Sequence, residues 1–361
     1  MSAFVQTPPP DTLSPGPDTG IGEVELPSGA LDKWIVTFLR DPRDLKVVKF
    51  AAFASIAVIP FAITFFLWDF PLWMALPYWA IVGSLADRVG LTIHVLIHNP
   101  LFKSKLLEQY IPGFMCLFFG HTPHTFYIHH VGMHHVESNM LDDTSTTVPF
   151  QRDSIRDFLY YWMRFMFVGH YDLGSYHYRR NRMKLLRTFF IVEFSHHAAV
   201  LALFLWKPAA AVIVFIGPIL VMRYAMMAGN WAQHAFVDAD DPDNEYKKSI
   251  NLIHARHNRR CWNDGYHIVH HIHPTMHWSE MPAWFEANKE TFIKEGAIVF
   301  SGIKGYQEVW MLLMTHNYDR LARHYVQLGP NKLSHDEVVA FLKSRTRAIK
   351  PSTVKGTLAA A

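Results

Sequence analysis

Four stretches of the chain carry side chains at spacings that allow them to share metal ions. His94 and His98 are four residues apart, so on a helix both imidazoles leave one face, about 5–6 Å apart at Cβ. His130, His134 and His135 form a second cluster, and His267, His270 and His271 form a third at i, i+3 and i+4. In the fourth stretch, GNWAQH, Asn230 stands four residues before His234. One such pair is weak evidence, but repeated HxxHH-type clusters are far less expected by chance. Together they supply nine imidazoles, too many for one tetrahedral or octahedral ion and enough for two ions with open positions. A wholly nitrogen-ligated site suits iron, copper or zinc, and ligand type alone does not choose among them.

Within the second cluster, a regular helix would put His130 and His134 on one face and turn His129 about 100° away. His130, not His129, is therefore the expected ligand. His130 and His134 would serve one ion while His135 reaches the other. Asp87, seven residues before His94, could hydrogen-bond an imidazole or equally form an ion pair at the membrane edge.

These clusters need elements to hold them. Phe50 to Trp68 runs without a charge for nineteen residues, close to the length that crosses a hydrocarbon core of about 30 Å as a helix. A second apolar run starts at Pro71, continues to Ala86 and passes into VGLTIHVLIH; the turn WDFPLW between the two runs permits only a helical hairpin. Phe189 to Trp206 and Ala209 to Met222 form a second pair, broken at Lys207 and Pro208. Counted from the hairpin tips at about 1.5 Å per residue, His94, His98, Asn230 and His234 lie roughly 35–42 Å along their spans. They emerge at one height. Glu193 and Arg223 fall at nearly the same depth on the second pair and are expected to form an ion pair. His196 and His197 lie inside a span and are functional candidates without an assigned role.

Charge orients the arrangement. Lys33, Arg40, Arg43, Lys46 and Lys49 precede the first span and ten more cations lie between Asn99 and Thr188, whereas the hairpin tips carry only Lys207. By the positive-inside rule both termini and the clusters are expected on the cytoplasmic side. A net charge of +3 is too small to imply nucleic acid, and two cysteines, Cys116 and Cys261, exclude a disulfide scaffold or a cysteine-held iron–sulfur cluster. The expected fold is all-α and integral to the membrane: four transmembrane helices in two hairpins, with a cytoplasmic helical cap holding the metal centre. Residues 1–30 read as a disordered tail, 31–290 as the membrane catalytic domain and 291–361 as a cytoplasmic helical extension. In that extension Ser334 and Glu337 form a capping-box pattern.

The order His94-x3-His98, His130-x3-His134-His135 and His267-x2-His270-His271, with spans between, resembles the three histidine boxes of the membrane fatty acid desaturase and hydroxylase superfamily. The resemblance covers about Trp68 to Pro282. NDGYHIVHHIHP, Asn263 to Pro274, is especially similar to acyl desaturases, and Asn230 with His234 is similar to the Asn-x3-His segment that completes their di-iron site, the asparagine acting through water. The resemblance implies two non-haem irons on these ten residues, O2 as co-substrate and an acyl or other lipid substrate. It also implies an external electron donor of ferredoxin or cytochrome b5 type, since no His-Pro-Gly-Gly motif of a fused cytochrome b5 occurs. A hydroxylase or ketolase acting on an alkane, sterol or carotenoid would use the same ligands. A histidine-rich metal transporter is disfavoured, because its site would lie at the bilayer midplane.

Overall fold

The structure, a computed structural model, describes residues 21–350. The first hairpin is α1, Leu45–Leu67, and α2, Ala75–His98, joined through a short 3-10 turn at Leu72–Met74. Asp41 fixes the entry to α1 by accepting the Arg43 N–H at 2.8 Å, so the chain turns before its uncharged run begins. Pro60 sits inside α1, a position tolerated where neighbouring helices and side chains re-satisfy the freed carbonyl.

After the loop bearing the second histidine cluster come α3, Ile155–Phe167, and α4, Gly169–Arg179. Ser154 caps α3 by accepting the Asp157 N–H at 3.2 Å. The second hairpin is α5, Met183–Trp206, followed at Pro208 by a fourth span that ends in α6, Gly217–Gln233. A π-helical turn at Val212–Ile216 interrupts that span. Only 17% of the apolar window of α5 is buried, and 39%, 33% and 50% of the other three. A soluble core helix would be covered on far more of its surface, and helices this apolar and this exposed belong in lipid. The fold is an all-α integral membrane fold with four spans.

One element lies outside the all-α expectation. Ile250–Ile253 (β1) and Ile298–Ser301 (β2) pair in parallel, Ile250 opposite Ile298. Runs of four residues are too short for periodicity to separate strand from helix. Between them in the chain lies α7, His267–Ile272, which packs against β1. Beyond β2, α8 (Tyr306–Met314) packs on α6, with Trp310 against Tyr224 at 5.9 Å between rings. The capping box at Ser334 and Glu337 forms as expected, ahead of a helix at His335–Arg345. Arg152, fully buried, donates to the carbonyls of Ala235, Val148 and Arg345 at 2.9–3.0 Å and pins the C-terminal segment under the site. Of the expected N-terminal tail, residues 1–20 lie outside the described residues, and Gly22 exchanges hydrogen bonds with the Asn263 side chain at 2.6 and 3.2 Å.

Candidate metal centre

The chain brings all nine expected histidines together. His94 and His98 close α2, His270 stands on α7, and His130 and His135 come from the loop segment; their ring nitrogens all lie within 4.8 Å of one another. His134, His234 and His271 form a second group within the same limit. His267 joins the latter, its Nε2 3.1 Å from His271 Nε2 and 3.4 Å from His234 Nε2. The groups adjoin, with the rings of His135 and His271 4.9 Å apart.

The second box departs from its expected register. A short helix at Thr125–His129 runs into a π-helical turn at His130–His134. A π turn closes at i+5 instead of i+4, so His130 lies beside His135, Nε2 to Nε2 at 3.0 Å, and both enter the first group. His134 points to the second. The expected sharing of one ion by His130 and His134 is thus corrected: one extra residue in the turn exchanges the roles of His134 and His135. His129 stays outside both groups, its ring 6.4 Å from that of His134.

The outward nitrogens explain why the inward ones face each other. His134 Nδ1 lies 2.6 Å from Asp143, His94 Nδ1 lies 3.4 Å from Asp264, and His234 Nδ1 lies 2.9 Å from the carbonyl of Lys248. A carbonyl can only accept, so His234 carries its proton on Nδ1 and turns the Nε2 lone pair inward. The carboxylates impose the same tautomer on His134 and His94. The inward nitrogens then meet as lone pairs: His94 Nε2 and His135 Nε2 each lie 2.9 Å from His270 Nε2, and the buried His98 Nε2 has no partner. Burial, reinforced by the neighbouring imidazoles, holds His130, His135, His234, His270 and His271 well below the ordinary imidazole range. For His267 it does so to about 3. A cluster of converging, neutral imidazole lone pairs is repulsive by itself and fits cations that prefer nitrogen ligands.

Asp143 and Asp264 were not among the expected residues. Asp264 had a signal, three residues ahead of His267 in the third box; Asp143 had none, since only the loop conformation returns it to His134. Burial alone would raise the Asp143 carboxyl, but the adjacent His134 and His129 and the Ser145 hydroxyl hold it well below the carboxylate range. Asp264 behaves likewise, held down by His257 and His94 against its burial. Asp87 instead pairs with Arg260 at 2.9 Å. Asn230 donates its amide nitrogen to Ser145 O at 3.0 Å and to Tyr161 Oη at 2.7 Å. The expected Glu193–Arg223 pair is not direct. His170 stands between them, 3.1 Å from Glu193 and 3.5 Å from Arg223, because α4 lies against α5 and inserts its imidazole.

A small cavity of about 20 Å³ reaches the first group beside His94, His98 and His270, with Trp262 and Met276 in its wall. Neither the curated proteins nor the solved structures contain a match to the chain. The sequence profile of the fatty acid desaturase family matches residues 71–302, more than half of the chain and all nine clustered histidines. With its four apolar spans and its two adjoining groups of buried imidazoles, the chain belongs to the fatty acid desaturase family.

Proposed function

We propose that the protein is an O2-dependent fatty acyl desaturase. One iron would be held by His94, His98, His130, His135 and His270, and the other by His134, His234, His267 and His271. Asn230 would act on the second through water. The observation that carries this reading is the pair of adjoining, inward-turned nitrogen groups, enough for two ions and built only of ligands that suit iron. With O2 and two electrons, the irons would convert –CH2–CH2– to –CH=CH–, with two protons taken up and two waters formed.

The side chains hold and orient. Asp143, Asp264 and the Lys248 carbonyl fix ring planes and tautomers, and the flanking spans keep the acyl chain out of water. No side chain need act as acid, base or nucleophile. A lipid substrate and an external electron donor of ferredoxin or cytochrome b5 type complete the reaction, with both termini and the site on the cytoplasmic side.

Expression in a host of known lipid composition, followed by mass spectrometry of the lipids, tests the reading. A new unsaturated acyl chain, absent when His270 is alanine, is the expected result. Hydroxylated lipid without unsaturation would overturn desaturation while leaving the metal centre standing.

A further inference from the structure

The second histidine box is gripped from outside by the corner between α4 and α5. Ile128 and Met133 pack with Leu173 and Tyr176 of α4 and Phe189 of α5 in one buried apolar cluster. Polar contacts surround it. His177 Nε2 lies 3.2 Å from the Ile128 carbonyl, and a carbonyl can only accept, so His177 is the donor. Arg182 donates to the Gly132 carbonyl. Tyr176 Oη and Arg180 both donate to one oxygen of Glu137, at 2.6 and 2.8 Å. A Cβ at position 132 would lie 3.2 Å from His177 Cε1 and 3.4 Å from Leu185 Cδ1, so Gly132 lets the corner come this close.

Two of these contacts fall on the backbone where the helical register changes. Gly132 belongs to the π turn, and Ile128 lies in the short helix that runs into it. In a regular helix each carbonyl takes its hydrogen bond from the N–H four residues on, and widening to i+5 moves those donors out of line. Buried carbonyls still need partners. A donor that approaches from the side also draws a carbonyl out of the i→i−4 ladder, as inserted side chains do where helices bend. His177 and Arg182 therefore stabilise the open turn over the regular one. In the regular form His135 would turn about 100° from the face shared by His130 and His134 and leave the first group.

We propose that Arg182 and His177 are positioning residues: their hydrogen bonds to the Gly132 and Ile128 carbonyls hold the π turn open and so assign His135 to the first iron and His134 to the second, an inference that rests on the two-iron reading and on no particular reaction. Arg180, at the same corner, reaches only side chains and takes no part in this assignment.

Chelator competition on purified, iron-loaded full-length protein tests it, with thermal unfolding recorded on every sample. Arg182→Met keeps a long stem but donates nothing, and should weaken iron binding by about 10–100-fold, as loss of an orienting partner does. Arg182→Lys, which keeps a donor, should recover most of that loss. His177→Phe should behave as Arg182→Met does, and Arg180→Met should hold iron as the wild type does. His135→Ala should weaken iron binding in the wild type yet add nothing in the Arg182→Met background, where His135 has already turned away. A merely structural role would give additive losses and a lower unfolding temperature without rescue by lysine. Wild-type iron affinity in both Arg182→Met and His177→Phe, or additive losses with His135→Ala, would overturn the assignment alone. A wild type that binds no iron would overturn the metal centre and the assignment with it.

Discussion

At the residue scale the centre depends on where each imidazole keeps its proton. Asp143 accepts from His134 and cannot be replaced by a donor without disturbing that choice, so Asp143→Asn should weaken iron binding by about 10–100-fold while the protein still folds. Chelator competition on purified protein measures this, and wild-type retention of iron would show that Asp143 plays no orienting part. The buried imidazoles also set an acid limit for the iron-free protein. In the unfolded chain each titrates near 6.5, whereas the folded state refuses the proton on His267 down to about 3 and on its five neighbours to well below the ordinary range. As pH falls through about 6.5 the unfolded state therefore takes up protons that the folded state does not. Stability drops by about 1.4 kcal/mol per pH unit for each such group until its folded value is reached. Asp143 works in another window: its carboxyl is held low when folded, so its contribution persists above the unfolded value near 3.9 and fades only below it. Thermal unfolding of chelated protein should thus shift steeply downward between pH 7 and pH 5. A flat profile over that range would mean that the rings are not buried in the iron-free state.

At the element scale the decisive feature is the π turn at His130–His134. Deleting Val131 removes the extra residue, so that His130 and His135 stand four apart and still share a face in a regular helix. Iron analysis should then still find about two irons per chain, whereas loss of one would show that the π turn itself, and not the pairing of these two rings, holds the first group together. Gly265 is the second such point. A Cβ there would lie 2.2 Å from Asn258 Oδ1 and 2.7 Å from the Leu252 carbonyl, because β1 and the third box touch backbone to backbone at this position. Gly265→Ala should cost about 1–3 kcal/mol, as overpacking does, and lower the unfolding temperature. Gly229→Ala, with open space around the new Cβ, should not lower it; equal losses would contradict the packing argument. These same places show what could be read from the chain and what could not. The spans, their pairing and the histidine boxes were legible because each rests on a local period: uncharged length, or i, i+3 and i+4 spacing. The π turn was not, since one extra residue leaves the spacing of His130, His134 and His135 unchanged in the sequence. Asp143 and His170 were hidden because their partners are set by how loops and α4 fold back. The two strands were hidden because INLI and IVFS pair across almost fifty residues with no periodic signal.

At the scale of the whole molecule the two hairpins stand side by side with their tips together and the centre at the opposite end. Lys207, at the tip of the second, reaches Asp69, at the tip of the first, at 3.0 Å. Asp69 is fully exposed, so this contact marks proximity more than it adds stability. Cations are gathered at the other end, ahead of α1 and around the start of α5, where Arg179, Lys184 and Arg187 are exposed. With tips nearly free of charge and bases nearly full of it, the positive-inside rule supports the proposed orientation, with the histidine centre and the C-terminal helix on the cytoplasmic side and both tips outside. The native cysteines are silent to a labelling reagent, Cys116 being 1% exposed and Cys261 fully buried. Single new cysteines therefore report cleanly. Asp69→Cys should react with a membrane-impermeant maleimide on intact cells, and Ser344→Cys, exposed on the last described helix, only after permeabilisation. The opposite pattern would invert the protein in its membrane and move the electron donor outside. Labelling of both positions from one side would mean an even number of crossings between them, incompatible with the three spans that follow Asp69; labelling of Asp69→Cys and Lys207→Cys from the same side checks that both tips share a face.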